Sequence, residues 1–184
     1  RSIEVQNNLG ADIIMAFDDC PPLDSAGGDP RRIEIAVNRT TAWLSRCVDA
    51  HTRRDDQALF GIVQGGTDPA LRAASVEAIC QFDLPGYAIG GVAVGESRQQ
   101  IHEIVMHTAP LLPEDRPRYL MGVGYERDLV AAVKAGVDMF DCVLPTRNAR
   151  NAYAFTRAGS LKLKNAQFTE DDGVIEPGCT CVAC

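Results

Sequence analysis

Apolar runs alternate with helical patterns along most of this chain, and that alternation constrains the fold more than any other feature. Five short apolar runs are typical of buried β-strands, and they cover residues 12–17, 58–63, 86–91, 118–123 and 138–143. The segments between them repeat apolar residues at the three- and four-residue spacing of amphipathic helices. Repeated alternation of strands and helices predicts a parallel sheet covered by helices.

The predicted helices carry recognisable start and stop residues. Asp68 is suited to the N-cap and Pro69 to the first helical position, ahead of an apolar pattern through Leu71, Ile79 and neighbouring residues. Gly136 can close a short helix farther along the chain. These signals place helix boundaries between the predicted strands.

Each predicted strand ends in glycine or polar residues, and the five ends read FDDC, VQGG, GGVAVGE, MGVG and DCVLPTR. In parallel α/β folds the carboxyl ends of the strands carry the chemistry. Five such ends on one face favour a (β/α)8 TIM barrel, and a doubly wound sheet is the alternative.

The length of 184 residues is short for a complete barrel, which has eight strands and about 250 residues. We therefore expect the C-terminal five or so units of a barrel, with parts missing on both sides of the chain. Residues 1–150 are predicted to form this partial, catalytic barrel. Residues 151–184 are predicted to form a hairpin extension and the start of a zinc-binding subdomain.

The composition is that of a globular protein, with 46% apolar and 23% charged residues. No apolar run approaches the roughly 20 residues of a membrane span, and the first residues lack the pattern of a signal peptide. We therefore expect a cytoplasmic protein without a membrane partner. Seven unevenly spaced cysteines argue against a disulfide framework.

The net charge of −7 discourages nucleic-acid binding, but the charge is unevenly distributed. Residues 147–169 hold five Arg or Lys and no Asp or Glu. Such a basic strip on an acidic body can contact a phosphate backbone, and a solvated surface is the other interpretation.

Three cysteines at the end of the chain, Cys179, Cys181 and Cys184, stand in a C-x-C-x-x-C spacing. Zinc prefers four ligands in a tetrahedron, and thiolates suit it. The spacing predicts a structural Zn²⁺ site whose fourth ligand lies downstream. A catalytic zinc with an open position is less favoured, because these cysteines follow the barrel and are not at strand ends.

Asp141 lies inside the apolar run MFDCV. Strand alternation places Met139, Asp141 and Val143 on one face. If this face is the interior of the predicted barrel, Asp141 points toward its mouth. A buried carboxylate costs several kcal/mol unless it is compensated, and this cost favours a functional role. The alternative is a carboxylate that caps a turn or pairs with an arginine.

Other strand ends carry groups that suit a purine. Asp18 can accept hydrogen bonds from ring N–H and amino groups, whereas Gln64 and bare backbone at Gly90 and Gly91 can donate to a carbonyl oxygen. Met121 can lie against a ring. The loop over residues 18–30 could cover a pocket. An Asx-turn, a tight glycine turn and a core methionine are the alternative roles.

The motifs MAFDDC, FGIVQGG, AIGGVAVGE, YLMGVG, DMFDCVLPTRNARN and CTCVAC, in this order, closely resemble the bacterial tRNA-guanine transglycosylases (queuine tRNA-ribosyltransferases). The resemblance covers nearly all of the chain. It implies a homodimeric enzyme with a (β/α)8 barrel and a zinc subdomain. It also implies exchange of the wobble guanine of tRNA for 7-aminomethyl-7-deazaguanine, a precursor of queuosine.

The same resemblance implies roles for individual residues. Asp141 matches the nucleophile, which attacks the ribose to form a covalent aspartyl-ribose intermediate. Met121 matches the residue that stacks on the base, Cys20 the pocket wall, and Val94 the residue typical of bacterial members. The residues that match the base-recognition set are Asp18, Gln64 and Gly91.

Two segments match the parts of the family that contact tRNA. They are Gly122, Val123, Gly124, Tyr125, Glu126, Arg127 and Asp128, and then Thr146, Arg147, Asn148, Ala149 and Arg150. The cysteines at 179, 181 and 184 match three zinc ligands. The family's acid/base Asp and a second stacking aromatic belong upstream of Arg1, and its histidine ligand belongs beyond Cys184, so the piece alone is not expected to be active.

Two other function classes compete with this interpretation. The first is a non-catalytic tRNA-binding subunit of the same family, which would have no need of Asp141 as a nucleophile. The second is a different barrel enzyme, such as a lyase or a phosphate-binding isomerase, which the guanine-binding residues and the cysteine cluster do not favour.

Overall fold

The computed structural model describes residues 1–22 and 29–184, so part of the loop over residues 18–30 lies outside the described residues. The chain divides into two compact units, Arg1–Asp141 and Cys142–Cys184.

Within the described residues, the first unit contains one five-stranded parallel sheet. Its strands are β1 (Ile13–Met15), β2 (Ala58–Val63), β3 (Gly86–Ile89), β4 (Arg118–Leu120) and β5 (Met139–Phe140). Their order across the sheet equals their order in the chain. A doubly wound sheet would reverse direction at a switch point, so the strand order excludes that alternative and confirms half of a barrel.

Helix α1 (Ser2–Leu9) precedes β1. The helices that connect successive strands are α2 (Pro30–Ala50), α3 (Pro69–Cys80), α4 (Arg98–Thr108) and α5 (Glu126–Lys134). Because connections between parallel strands are right-handed, successive crossovers in one direction place the connecting helices on the same face of the sheet. Local capping explains where several of them begin. The Asp68 carboxylate accepts from the backbone of Ala70 and Leu71, and Ser97 forms a capping box with Gln100.

The core lies between the sheet and these helices. Strand β3 is buried along its whole length, and all but the first residue of β2 is buried, as expected for inner strands of a parallel sheet. Side chains from helices and strands meet there, among them Leu44, Val63, Ile79, Ile89 and Leu120. This packing holds the carboxyl ends of the strands in place.

All five predicted strands are present, although four of them are shorter than predicted. The prediction for α3 was right for Ile79 but not for Leu71, which is only half-buried, because the buried residues are Arg72, Ser75, Val76 and Ile79. Their three- and four-residue spacing is that of one helical face, but an arginine at its start hides the pattern from a search for apolar residues alone.

The second unit begins with a short helix, α6 (Leu144–Arg150), that the sequence analysis did not predict. The predicted hairpin is present as β6 (Tyr153–Thr156) and β7 (Gly159–Lys162), paired antiparallel with Tyr153 opposite Lys162. The cysteine cluster follows the hairpin. The domain division at residue 150 stays a prediction.

Candidate functional site

Predicted site residues follow the carboxyl ends of successive strands. Asp18 comes three residues after β1, Gln64 directly after β2, Gly90 directly after β3, Met121 directly after β4 and Asp141 directly after β5. Because the strands are parallel and adjacent, these residues lie along one edge of the sheet. The edge is therefore the candidate active site.

Asp18 and Gln64 form a hydrogen-bonded pair. The Gln64 Nε2 donates to Asp18 Oδ2 at 2.7 Å, and Gln64 is almost fully buried while Asp18 is half-buried. Burial raises the pKa of the Asp18 carboxyl, although the Gln64 hydrogen bond opposes the shift. The pair presents an acceptor and an amide side by side at the ends of neighbouring strands.

Gly90 and Gly91 are both buried beside this pair. A Cβ on Gly90 would lie 2.6 Å from Ile62 Cγ2 and 2.9 Å from Gln64 Nε2. Gly91 has a φ of +61°, and a Cβ there would collide with Gln64 Oε1. Both positions therefore require glycine, because only bare backbone fits next to the Gln64 side chain.

Cys20 adjoins the same group. The Gly91 backbone N–H and the Gln64 side chain are both within hydrogen-bonding reach of its sulfur. Although the residue is exposed overall, burial of the sulfur raises the pKa of the Cys20 thiol, and the charge of Asp18 adds to the effect. The structure thus brings Cys20, Asp18, Gln64 and Gly91 together.

Two further predicted residues of the site have more limited contacts. Val94 is half-buried, and its backbone N–H donates to Glu96 Oε2 at 2.7 Å. Met121 is half-buried too, and its backbone N–H donates to the Ile89 carbonyl at 3.3 Å, which continues the pairing of β3 with β4. The backbone at Met121 is thereby tied to the end of β3.

Asp141 is exposed and lies just after β5, so the expectation of a buried carboxylate within the strand was wrong. Its Oδ1 accepts from the Gly122 N–H at 3.1 Å. The Tyr119 hydroxyl is its other hydrogen-bond partner, and burial, followed by that bond to Asp141, raises the pKa of Tyr119 to about 12. Tyr119 therefore stays protonated at neutral pH and donates to the carboxylate.

Sequence reasoning missed Tyr119 and Arg72. Tyr119 lies in β4, two residues before Met121, which directly follows the strand. Strand alternation could therefore have placed both side chains on one face. Arg72 is 1% exposed and donates to backbone carbonyls after β2 and β3. Its position on the buried face of α3 was the available signal.

The first predicted tRNA-contacting segment, residues 122–128, is not uniformly accessible. Val123 is buried in the core, and Asp128 pairs with Arg98 at 2.9 Å. Tyr125 and Arg127 are exposed, with the Arg127 guanidinium 5.7 Å from the centre of the Tyr125 ring. These two side chains are the better candidates for contact with RNA.

The second predicted segment, residues 146–150, forms most of α6 in the C-terminal unit. Arg147 and Arg150 are exposed in its last turn, and Asn148 is half-buried. The Thr146 hydroxyl donates to the Val143 carbonyl at 3.1 Å. The helix thus presents two cations to solvent.

The sulfur atoms of Cys179, Cys181 and Cys184 all lie within 4.8 Å of one another. A zinc–sulfur bond of about 2.3 Å in a tetrahedron implies sulfur–sulfur distances of roughly 3.8 Å, so the cluster fits a metal after slight contraction. The interaction with Cys179 raises the pKa of Cys184 to about 11. The backbone N–H of Cys184 lowers the pKa of Cys181.

Within residues 1–22 and 29–184, none of the helices combines the length and apolar character that a membrane-spanning segment needs. The fold and the site instead define a class: parallel barrel proteins that place acids, an amide and bare glycine backbone at successive strand ends. Comparison with known sequences narrows this class.

The sequence profile of the family described as "Queuine tRNA-ribosyltransferase" matches residues 1–184. The chain belongs to this family. Proteins with the same name from Thermus thermophilus and Synechococcus elongatus are 57% and 55% identical to it over its whole length. A third, from a Nostoc species, is 54% identical. The chain spans about half the length of these curated relatives, 47%, 47% and 48% respectively.

Proposed function

We propose that the full-length protein containing this segment is a tRNA-guanine transglycosylase, a pentosyltransferase that exchanges the wobble guanine of tRNA for 7-aminomethyl-7-deazaguanine. The Asp18–Gln64 pair beside bare backbone at Gly91 is the observation that carries the proposal. Asp141 at another strand end of the same edge adds a nucleophile. The names of the relatives support the same class of reaction.

The proposed base site matches the edge of guanine. The Asp18 carboxylate accepts from the ring N–H and the amino group, while Gln64 and the Gly91 N–H donate to the carbonyl oxygen. Met121 packs against the ring, and Cys20, Gly90 and Val94 line the site. A base with a mismatched edge would leave buried polar groups unpaired at about 1–3 kcal/mol each.

The proposed reaction proceeds through two displacements at the ribose. An Asp141 oxygen attacks the anomeric carbon, the bond to guanine breaks, and its electron pair leaves with guanine, which takes up a proton. The deazaguanine nitrogen then loses its proton and attacks the same carbon, which releases the Asp141 carboxylate. Two inversions give net retention, as in retaining glycosidases.

Local hydrogen bonds support Asp141 as the nucleophile. The Gly122 N–H and the Tyr119 hydroxyl hold the carboxylate in one orientation while it stays exposed to a substrate. An ionised carboxylate also stabilises the positive charge that develops on the sugar in the transition state. The acid/base Asp of the resemblance belongs outside this segment.

The proposed partner is tRNA, whose anticodon-loop bases can be splayed out and bound singly. Arg127 and Tyr125 after β4 and Arg147 and Arg150 on α6 are exposed and suited to phosphates or bases. A homodimer and a cytoplasmic location stay predictions.

The proposed cofactor is a structural Zn²⁺ held by Cys179, Cys181 and Cys184, with a fourth ligand outside this segment. The mutual proximity of the three thiols supports this, because three sulfur atoms within 4.8 Å of one another can lose their protons and bind one shared cation. A bound zinc ion would cross-link the end of the C-terminal unit.

The proposed function is tested in the full-length protein with labelled guanine and tRNA. Asp141→Asn is expected to lower guanine exchange by at least about a thousandfold, because a neutral amide is a poor nucleophile, while tRNA binding stays unchanged. A covalent RNA adduct that survives denaturation should form with the wild type and not with this variant.

Asp138→Asn is the matched control. Asp138 lies three residues earlier, and its Oδ2 accepts from the Arg118 backbone N–H at 2.9 Å, so its replacement should spare exchange and the adduct. Normal turnover by Asp141→Asn would refute the nucleophile. A wild type that binds tRNA but never incorporates guanine would instead indicate a non-catalytic tRNA-binding subunit.

A further inference from the structure

The Arg72 side chain lies beneath the candidate site and bonds only to backbone oxygens there. Its Nε donates to the Gly66 carbonyl at 2.9 Å, and its Nη2 to that of Gly91 at 2.8 Å. Its Nη1 donates to the carbonyls of Gly90 at 2.6 Å and Val63 at 3.2 Å. The guanidinium therefore joins the loops after β2 and β3.

Burying this charge is costly, because a cation that is 1% exposed loses nearly all contact with water. Among the residues that the structure describes, no carboxylate lies within salt-bridge distance of it. Burial lowers the pKa of Arg72 to about 10, so the group is still charged at neutral pH. The carbonyls compensate the charge, and they belong to the two loops that carry Gln64 and Gly91.

One of these hydrogen bonds acts directly on a proposed donor. The Gly90 carbonyl and the Gly91 N–H belong to the same planar peptide group. A charge-assisted hydrogen bond to the oxygen draws electron density away from the N–H and makes it a stronger donor. The Arg72 Nη2 also donates to the carbonyl of Gly91 itself, so the peptide groups on both sides of Gly91 are restrained.

The loop after β2, which begins with Gln64, is held by the same face of α3 that carries Arg72. Ser75, one turn after Arg72, is fully buried, and its Oγ accepts from the Gln64 backbone N–H at 3.0 Å. A polar pair on one helix thus anchors both groups proposed to donate to the base.

We infer that Arg72 is a positioning residue for base recognition: it orients and strengthens the Gly91 N–H that donates to the carbonyl oxygen of the bound base, without touching the base itself. The inference rests on the proposed function, since it assigns a role within the same base site.

The test compares the binding of two bases to the full-length protein. Guanine carries the carbonyl oxygen, whereas 2-aminopurine keeps the ring and the amino group but lacks that oxygen and the ring N–H beside it. Its affinity for the wild type is therefore lower, and the test compares the variant with the wild type separately for each base. Arg72→Lys keeps the charge and loses the planar fork that reaches several carbonyls. We expect its affinity for guanine to fall about tenfold, equivalent to about 1.4 kcal/mol, and its affinity for 2-aminopurine to stay within about twofold of wild type.

Arg118→Lys is the matched control. Arg118 is also buried, and it donates to the carbonyls of Leu112, Pro113 and Gly136 at the start of β4, away from the carboxyl strand ends. This variant should lower the Tm and leave the affinity for both bases unchanged. The contrast separates a positioning role from a purely structural one.

Several outcomes would overturn the inference. The first is an unchanged guanine affinity in Arg72→Lys, and the second is an equal loss of affinity for both bases. The third is that Arg72→Lys and the milder Arg72→Gln both fail to fold while Arg118→Lys folds. A wild type that binds neither base would refute the proposed function itself and the inference with it. Binding of guanine by the wild type without an effect of Arg72→Lys would refute the inference alone.

Discussion

Asp18 and Asp19 are adjacent in the chain, yet their surroundings shift their pKa values in opposite directions. Burial raises the pKa of Asp18, whereas hydrogen bonds and ion pairs with Arg32 and Arg39 hold the pKa of Asp19 below its ordinary value. One carboxylate is costly to ionise in the folded protein, and the other is stabilised by its partners.

The pair gives a prediction about stability and pH. Because folding disfavours ionised Asp18, Asp18→Asn should raise the Tm of the full-length protein at neutral pH. Protonation removes the penalty in the wild type, so the gain should vanish as the pH falls below the ordinary carboxyl pKa of 3.8. Thermal unfolding measured across this range is the test.

Asp19→Asn is the opposite control. The lowered pKa of Asp19 means that the ionised carboxylate stabilises the fold at neutral pH. The variant loses two ion pairs, which should lower the free energy of unfolding by about 1 kcal/mol. That cost should fade as acid protonates the wild-type carboxylate. Two variants with the same sign of effect at neutral pH would contradict the assigned environments.

At the scale of elements, the carboxyl ends of the strands and the end of the C-terminal unit carry different chemistry. The strand ends combine groups that recognise and react with a substrate, while the Cys179–Cys184 segment gathers thiols by short-range spacing alone. Because this segment has little apolar material of its own, we expect metal binding to stabilise its structure.

The metal prediction concerns the full-length protein purified without chelator. It should contain about one zinc ion per chain, and Cys179→Ser should lower that content to well under half, because one of the thiolate ligands is lost. Cys80→Ser, which changes a half-buried cysteine outside the cluster, should leave it unchanged. Equal zinc content in both variants, measured by elemental analysis, would exclude the site.

At the scale of the whole molecule, the sheet is half of a barrel. Within the described residues, β1 pairs only with β2, and β5 pairs only with β4. The Gln6 side chain covers part of the β1 edge, where it bonds to the backbone N–H and C=O of Met15. Unpaired strand edges otherwise present free N–H and C=O groups that can pair with another copy. A closed barrel removes such edges.

The 184-residue segment produced alone is therefore predicted to self-associate at micromolar concentration, whereas the full-length protein should not aggregate. A charge at the edge, Ile13→Lys in β1, should reduce the association. Met106→Lys adds the same charge to an exposed apolar site on α4, which connects the inner strands β3 and β4, and should not. Analytical ultracentrifugation across concentrations would show this, and a monomeric segment throughout would refute it.

Most of the secondary structure and the cysteine cluster could be predicted from the sequence, because these features depend on local chemistry. The alternation of strands and helices, the cap at Asp68, the hairpin after Asn151 and the cysteine spacing all depend on neighbours within a few positions. The family motifs add the expected site residues at strand ends. The order of the strands follows from short, right-handed connections.

Contacts between residues that are distant in sequence could not be predicted from the sequence and were established only by the tertiary structure. Gln64 bonds to Asp18 across 46 positions, and Gly122 bonds to Asp141 across 19. The exposure of Asp141 and the burial of Arg72 depend on which residues surround each side chain after the helices pack on the sheet. Periodicity identifies a face of a helix, but burial and electrostatic partners arise only when separate elements meet in space.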